Sequence, residues 1–292
     1  MSKFLARALR GALPYAVYKH FYVTRPEILR KRAEEERLGP ALALASVNAA
    51  FHNKHMGQRC FILCNGPSVK QQDISLLKDE HVISVSSGYH HPNYRLISPE
   101  YHCVPTINYT AKFTRTDVVA WFQEMDDKLG NAILFLNYTE EALVREERLF
   151  PNREVRYVVL SGTFSDYGKF ERPDISKCIP GVQSVPIMCL MIAIYMGFDH
   201  IYLIGTDHDQ FRSREYKYFY EPTILRGKDS ATDLEGNLVA GWYEELSNLA
   251  ILWGQYRQVK QIAEKHGISI YNATAGGELD EFPRVHLDSL FP

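Results

Sequence analysis

The chain has 292 residues, of which 46% are hydrophobic and 23% charged, so it can bury a substantial core as one large or two small domains. The formal net charge is −2, whereas nucleic-acid-binding domains are typically strongly basic. The overall charge therefore does not indicate a nucleic-acid-binding protein. The five cysteines are an odd number without a CxxC pair, which favours reduced thiols in the cytoplasm over a disulfide framework.

The first 25 residues carry five basic side chains and no acidic one, with apolar residues interspersed. This composition suits attachment to an anionic membrane surface, on the inner face of a membrane. It equally suits an amphipathic helix that packs on the body of the protein or on a second subunit of a homo-oligomer, and both interpretations remain open. A secretory signal peptide is not expected, because Lys3, Arg7 and Arg10 interrupt the apolar residues. Residues 26–56 continue the helical pattern, so 1–56 is predicted to be a basic helical extension.

From residue 57 onwards, short apolar runs alternate with helical patterns. Strands are predicted over 59–65, 81–86, 101–107, 132–137, 155–161, 200–205 and 268–274. The longest apolar run, 185–198, is too short to cross a bilayer and is typical of a buried helix. Continuously apolar strands separated by helices indicate one α/β domain over 57–292, with a mostly parallel, Rossmann-like sheet of about seven strands and helices on both faces.

The stretch FILCNGPSVKQQDISLL, residues 61–77, runs from the first predicted strand through Asn65-Gly-Pro-Ser into a helical pattern. Gly66 permits close approach of the backbone to a ligand, Pro67 fits a first helical turn, and Ser68 offers a hydroxyl beside free amides. Ligands of parallel sheets bind beyond the carboxyl ends of the strands, so this turn suits a phosphate or a nucleotide. The same residues also make a good ordinary turn, and neither a P-loop lysine nor a GxGxxG motif follows.

A second motif spans residues 181–211, where Gly181 and Ser184 precede the buried helix. The following strand ends in Thr206-Asp207-His208-Asp209, at the edge where this architecture places chemistry. Asp207 and Asp209 are candidate ligands for Mg²⁺ or Mn²⁺, and His208 is a candidate general base. In the alternative interpretation, Asp207 caps a loop while His208 and Asp209 are solvated.

These two motifs resemble those of the bacterial sialyltransferases of glycosyltransferase family 42. The resemblance covers about residues 59–275 and extends to the related motility accessory factors and archaeal pterin pyrophosphokinases. It implies a GT-A-like fold and transfer of a sugar, such as a nonulosonic acid from a CMP donor, to a bacterial surface glycan, a lipid-linked glycan or a protein. The sialyltransferases of the family need no metal, whereas the Asp207/Asp209 pair leaves Mg²⁺ or Mn²⁺ open.

The resemblance also implies individual roles. The family's asparagine after the second strand falls near Ser87, its serine before the buried helix corresponds to Ser184, and Asp209 stands where one of two phosphate-binding tyrosines is expected. The region of the family's catalytic histidine reads ELSNLAILWGQYR and contains no histidine, which leaves His208 or Asp209 as the base. The implied nucleotide- and phosphate-binding residues are Asn65, Gly66, Pro67, Ser68, Ser87, Asn108, Ser184 and Tyr216.

Residues 206–241 form a long loop in which tyrosines alternate among basic side chains, as suits either a lid over an anionic sugar nucleotide or an edge strand. Two other functions remain open: an Mg²⁺-dependent, pyrophosphokinase-like phosphoryl transferase that acts on a small alcohol, and a non-catalytic nucleotide sensor. The remaining histidines have no clustered partners in the sequence and are interpreted as surface or structural residues; they include His52, His55, His266 and His286.

Overall fold

The computed structural model describes residues 25–110, 113–168, 170–213, 218–220 and 241–291. The chain divides into two compact units, Met1–Ala43 and Leu44–Pro292. The helix predicted over 26–56 is present as helix α1 (Arg25–Ser46), followed by a 3-10 helix, Val47–Phe51. The basic segment predicted over residues 1–25 falls almost wholly outside the described residues, which begin at 25.

The described part of the second unit contains one sheet of eight strands, all of them parallel. The strands are β1 (Arg59–Leu63), β2 (His81–Val85), β3 (Tyr101–Cys103), β4 (Ile133–Asn137), β5 (Val155–Leu160), β6 (Cys178–Ile179), β7 (His200–Ile204) and β8 (Ser269–Asn272), in the spatial order β6-β5-β4-β3-β2-β1-β7-β8. The α/β, Rossmann-like fold is therefore confirmed, with β6 as one additional strand. Two residues are too few to show a periodic pattern, which explains why β6 was missed.

The helices of this unit are α2 (Tyr94–Ile97), α3 (Arg115–Lys128), α4 (Glu141–Glu146), α5 (Val185–Met196), α6 (Gln210–Ser213) and α7 (Trp242–Lys265). Helix α5 has Ser184 at its N-cap position and a proline in its first turn, and it is followed by Gly197, whose left-handed φ of 89° is readily adopted by glycine. Within the described ranges, no helix combines the length and the apolar character needed to cross a membrane.

Both faces of the sheet are covered, because successive strand residues enter different cores. In β1, Cys60 and Ile62 pack with helix α5 on one face, while Phe61 and Leu63 join a separate cluster on the other. Residues 186–196 of α5 are all buried, as expected for a helix between the sheet and α7. On the opposite face, α3 packs against alternate residues of β4. Burial on both sides explains why the strands read as continuous apolar runs.

The order of the strands places a topological switch point between β1 and β7. The chain proceeds outward from β1 through β6 and then returns to form β7 on the other side of β1. At their carboxyl ends the strands pair Leu63 with Ile204, and beyond them the Gly66 amide donates to the Gly205 carbonyl at 2.9 Å. The two sequence motifs therefore meet at the position where open α/β sheets bind ligands.

Two local predictions differ from the structure. The 65–68 turn opens a 3-10 helix of five residues, Pro67–Gln71, and not a regular α-helix. Strand β3 ends at Cys103, before the predicted 107, and the following residues leave the sheet to form part of a cavity wall. All five cysteines are free thiols, as the sequence predicted.

Candidate functional site

A cavity of about 740 Å³ opens at the carboxyl edge of the sheet, beside the switch point. Its size is within the range of small-molecule and cofactor sites. Of the residues singled out from the sequence, those that line it are Asn65, Gly66, Pro67, Asn108, Gly181, Ser184, Thr206, Asp207, His208 and Asp209. Ser68 and Ser87 lie just behind the wall, and Tyr216 lies outside the described residues.

The 65–68 turn is fastened to the segment after β7 through Ser68 and Asp207. The Ser68 amide donates to one carboxylate oxygen of Asp207 at 3.1 Å, and the Ser68 hydroxyl donates to the other at 2.8 Å. Asp207 is buried, and its burial raises the pKa of the carboxyl group, an effect that the two hydrogen bonds oppose. The carboxylate therefore acts first as an anchor between two segments that are distant in sequence.

This close contact requires glycine at two positions. A Cβ atom on Gly66 would lie 1.8 Å from a carboxylate oxygen of Asp207 and 2.5 Å from the Gly205 carbonyl oxygen. Gly205 has a φ of 68°, and a Cβ atom there would lie 2.7 Å from the Cys64 carbonyl oxygen. The sequence predicted that Gly66 permits close approach of the backbone to a ligand; in the structure the group that approaches Gly66 is the side chain of Asp207.

Asn65 presents an unsatisfied polar atom in the cavity wall. Its side-chain nitrogen donates to the Val85 carbonyl at 3.3 Å, whereas its side-chain oxygen is buried and has no hydrogen-bond partner. Its backbone carbonyl accepts from the Phe219 amide at 3.0 Å, which brings residues 218–220 against the turn. A buried acceptor without a hydrogen-bond donor is costly, so this oxygen is an unsatisfied group beside the cavity.

A buried histidine supports the turn after β2 through hydrogen bonds, although the sequence analysis did not identify it as a functional residue. His102 is fully buried; its Nε2 donates to the Ser86 carbonyl at 2.8 Å, and its Nδ1 lies 2.7 Å from the Ser84 hydroxyl. Burial lowers the pKa of His102 to about 3, so the ring is neutral at pH 7. Ser86, which lines the cavity with a left-handed φ of 48°, depends on this support. A histidine within an apolar strand gave no sequence signal of that role.

Ser87 acts through a neighbouring aromatic side chain. Its hydroxyl accepts a hydrogen bond from Trp121 Nε1 at 3.0 Å, and the indole of Trp121 lines the cavity. Phe113 and Ile107 line the cavity as well, so this part of the wall is apolar. The sequence predicted a polar nucleotide contact at Ser87, and the structure places the serine where it orients an indole.

Ser184 occupies the N-cap position of α5 without a side-chain capping hydrogen bond, and this amino terminus of the helix lines the cavity. The peptide dipoles of this 12-residue helix give its amino terminus a partial positive charge that favours an anion. The preceding loop is clamped by Gln255 of α7, whose side-chain oxygen accepts from the Gln183 amide at 2.8 Å and whose nitrogen donates to the Gly181 carbonyl at 3.1 Å. Gln255 itself lines the cavity and was missed from the sequence, because a polar residue in an amphipathic helix carries no signal.

His208 and Asp209 lie at the cavity with different surroundings. His208 has a left-handed φ of 47°, and its Nε2 is 2.7 Å from the hydroxyl of the buried Tyr256 on α7. Burial lowers the pKa of His208 to about 4, so the imidazole is neutral near pH 7. Within the described residues, the carboxylate of Asp209 has no hydrogen-bond partner. A divalent metal ion between Asp207 and Asp209 would have to share the Asp207 oxygens with Ser68.

The tyrosine-rich loop contributes Tyr218 and Tyr220 to the cavity wall. Their rings stack with centroids 5.2 Å apart, and the Tyr220 ring also packs against His90 at 5.0 Å. The remainder of the predicted lid, 214–217 and 221–240, lies outside the described residues. Two aromatic side chains of this loop therefore line the cavity.

Comparisons with known proteins gave structural similarities only. No protein-family model and no curated protein matches the chain. One similar solved structure is the sialyltransferase CstII from Campylobacter jejuni in complex with the substrate analogue cytidine-5'-monophosphate, at 16% identity over 79% of this chain and 85% of that chain, with a TM-score of 0.45. A second is CstII in complex with CMP-3FNeuAc, at 16% identity over 78% of this chain and 85% of that chain, with a TM-score of 0.38.

Proposed function

We propose that this protein is a glycosyltransferase that takes a sugar from a nucleoside monophosphate donor, specifically a nonulosonic acid from its CMP conjugate. The observation that carries the proposal is the convergence on one cavity of the two motifs that resemble family 42. Ser68 and Asp207 are 139 positions apart in sequence, yet they are directly hydrogen-bonded beside that cavity. The parallel pairing of β1 with β7 brings both turns to the edge of the sheet where such folds bind ligands.

Distinct parts of the wall suit distinct parts of such a donor. The amino terminus of α5 at Ser184 suits the phosphate, because a helix dipole and free amides favour negative charge. The unpartnered side-chain oxygen of Asn65 suits a donor group such as an amino or hydroxyl group of the nucleoside. The indole of Trp121 offers an apolar surface for a base or a sugar face.

The chemical step needs one base and one departing phosphate. The acceptor hydroxyl gives its proton to the base, its oxygen forms a bond to the anomeric carbon, and the bond from that carbon to the phosphate oxygen breaks, releasing the nucleoside monophosphate with the bonding electron pair. His208 serves as the base if Nε2 carries the proton and donates it to the Tyr256 oxygen, because Nδ1 then keeps its lone pair. Asp209, which also lines the cavity, is the alternative candidate for the base.

The acceptor and the setting are also part of the proposal. We assign the acceptor to a bacterial surface glycan, a lipid-linked glycan or a protein, as in polysaccharide biosynthesis. Residues 1–25, with five basic and no acidic side chains, would hold the enzyme at an anionic membrane surface and beside lipid-linked acceptors. The proposed transfer requires no metal; Tyr216 is proposed to steady the phosphate.

The first experiment is thermal stabilisation by CMP, CDP, UDP, GDP and ATP, each with and without Mg²⁺ or Mn²⁺, because a ligand that binds the native state raises its melting temperature. We expect metal-independent stabilisation by CMP, reduced in Asn65→Ala and retained in Gln258→Ala, an exposed position on α7. Release of CMP from CMP-sialic acid then tests the transfer itself. Stabilisation by ATP or a diphosphate only in the presence of metal would overturn the proposal in favour of phosphoryl transfer to a small alcohol.

A further inference from the structure

A second cluster of ligating side chains lies at the amino ends of the strands, on the edge of the sheet opposite the cavity. His81 is the first residue of β2, Glu100 immediately precedes β3, and His55 lies in the segment before β1. The sequence analysis treated His55 as a residue without clustered partners. Its partners are distant in sequence, and the parallel arrangement of β1, β2 and β3 brings the three positions to one edge.

The three side chains present one ligand atom each within a small volume. These atoms all lie within 4.8 Å of one another. Among the described residues, this is the group of three whose spacing suits a metal ion. His81 Nδ1 is 2.7 Å from one oxygen of Glu100, and His55 Nε2 is 3.8 Å from the other. Ligands at about 2.0–2.1 Å from a tetrahedral Zn²⁺ are about 3.3 Å apart, so rotation of exposed side chains closes the remaining difference.

The His55 ring is held in an orientation that leaves one nitrogen directed at the cluster. Its Nδ1 lies 2.8 Å from the amide oxygen of Gln58, which can only accept, so Nδ1 carries the proton and Nε2 has the lone pair. The ring also stacks on Phe198 with centroids 4.4 Å apart and an angle of 8° between the planes. A fixed tautomer with a hydrogen-bonded second nitrogen is the usual arrangement of a metal-ligating histidine.

The Tyr101 hydroxyl faces two acceptors of the cluster, while His81 Nδ1 donates to the other oxygen of Glu100. The Tyr101 hydroxyl has one proton, yet it lies 2.7 Å from His55 Nε2 and 3.0 Å from a Glu100 oxygen, both of which accept. The Lys54 ammonium compensates, since its Nζ is 2.9 Å from the Tyr101 oxygen and 3.5 Å from Glu100. A lysine cation therefore occupies the electrostatic position that a metal ion would take, and its side chain is 41% exposed.

We propose that His55, His81 and Glu100 bind one Zn²⁺ ion, at a site separate from the nucleotide cavity. Two imidazole nitrogens and a carboxylate are ligands of choice for Zn²⁺, and they leave a fourth position for water or the Tyr101 hydroxyl. The side chains of His81 and Glu100 are 31% and 35% exposed, so the ion can enter from solvent. Binding ties the segment before β1 to the starts of β2 and β3 and stabilises this edge of the sheet.

The test is Zn²⁺ binding to the full-length, chelator-treated protein, measured by calorimetry and by metal analysis after equilibrium dialysis. We expect one equivalent per chain, at least tenfold weaker binding in His81→Ala and Glu100→Gln, and tighter binding in Lys54→Met because the competing cation is removed. Controls are His200→Ala, an exposed histidine on the same edge, and Asp209→Asn at the cavity; both should bind as the unmodified protein does. Zn²⁺ should also raise the melting temperature of the unmodified protein by more than that of Glu100→Gln.

Three results would overturn the assignment. One is the absence of stoichiometric binding to the unmodified protein. Another is unchanged binding in Glu100→Gln, which keeps the size of the side chain and so remains informative if His81→Ala fails to fold. The third is loss of binding in Asp209→Asn with retention in Glu100→Gln, which would move the ion to the cavity. The site is independent of the proposed transferase activity, so either can fail without the other.

Discussion

The carboxylate of Asp207 accepts hydrogen bonds from both the backbone amide and the hydroxyl of Ser68, at 3.1 and 2.8 Å. One buried side chain after β7 therefore fixes the conformation of the turn after β1, and the two segments form a single wall of the cavity. The sequence allowed two interpretations of Asp207, a metal ligand or a residue that caps a loop. The observed hydrogen bonds are those of a residue that caps a loop.

We expect Asp207→Ala to lower the free energy of unfolding by about 2 kcal/mol, because it removes a charged acceptor and leaves two Ser68 donors unpaired. Binding of CMP should weaken in parallel. Urea denaturation and nucleotide-induced thermal shifts measure the two effects. Asp209→Ala is the control. Its free energy of unfolding should stay within about 0.5 kcal/mol of that of the unmodified protein, as expected for a side chain without described partners. Equal stability of Asp207→Ala and the unmodified protein would contradict an anchoring role.

Two glycine substitutions should have opposite effects on the stability of the protein. Gly66→Ala places a Cβ atom 1.8 Å from an Asp207 oxygen and should destabilise the protein by about 3 kcal/mol or more. Gly254→Ala, in the interior of α7, meets no atom within 4 Å and should stabilise the helix by about 0.5–1 kcal/mol. Chemical denaturation of both variants gives the sign of each change in the free energy of unfolding. Tolerance of alanine at 66 would show that the turn and Asp207 are not in close contact.

Tyr256→Phe tests whether His208 is the base. Loss of the Tyr256 oxygen removes the partner that fixes Nε2 as a donor, so kcat should fall about tenfold or more while KM stays unchanged. If the imidazole with its pKa of about 4 is the base, the acidic limb of kcat/KM should lie near pH 4 and not near 6.5. Tyr243→Phe, whose ring is exposed on the same helix, is the matched control. An unchanged kcat in Tyr256→Phe would transfer the role to Asp209.

Gln255→Ala should loosen the loop that leads into α5 without unfolding the protein. Its two hydrogen bonds hold the backbone of Gly181 and Gln183, and their loss should weaken donor binding about fivefold, equivalent to about 1 kcal/mol. Titration with CMP measures the change. Gln258→Ala, on the exposed side of the same helix, should bind as the unmodified protein does. Equal affinities for both variants would show that the loop conformation does not depend on Gln255.

Stability should fall as the pH drops below 6.5. The pKa of buried His102 is lowered to about 3, so the unfolded state binds a proton that the native state does not bind in this range. Unfolding therefore becomes more favourable as pH falls, with His102 alone costing about 2 kcal/mol between pH 6.5 and pH 5. Urea denaturation across this range measures the slope, which should be smaller in His102→Gln. An identical slope would mean that His102 is not the group responsible.

The sequence by itself determined the class of the fold and where along the chain its chemistry lies. Apolar runs separated by helical patterns predicted seven of the eight described strands to within a few residues, because burial on both faces of a parallel sheet leaves that pattern in the sequence. The polar turns at residues 65–68 and 206–209 were identified for the same local reason, since each directly follows an apolar strand.

Only the tertiary structure decided which residues meet. The bond between Ser68 and Asp207, the support of the cavity by His102 and Gln255, and the placement of Ser87 behind Trp121 all join positions far apart in sequence. The cluster of His55, His81 and Glu100 has the same origin. Such contacts are set by the order of the strands, in particular by the return of the chain to place β7 beside β1, and strand order is a property of the packed sheet that no local pattern encodes.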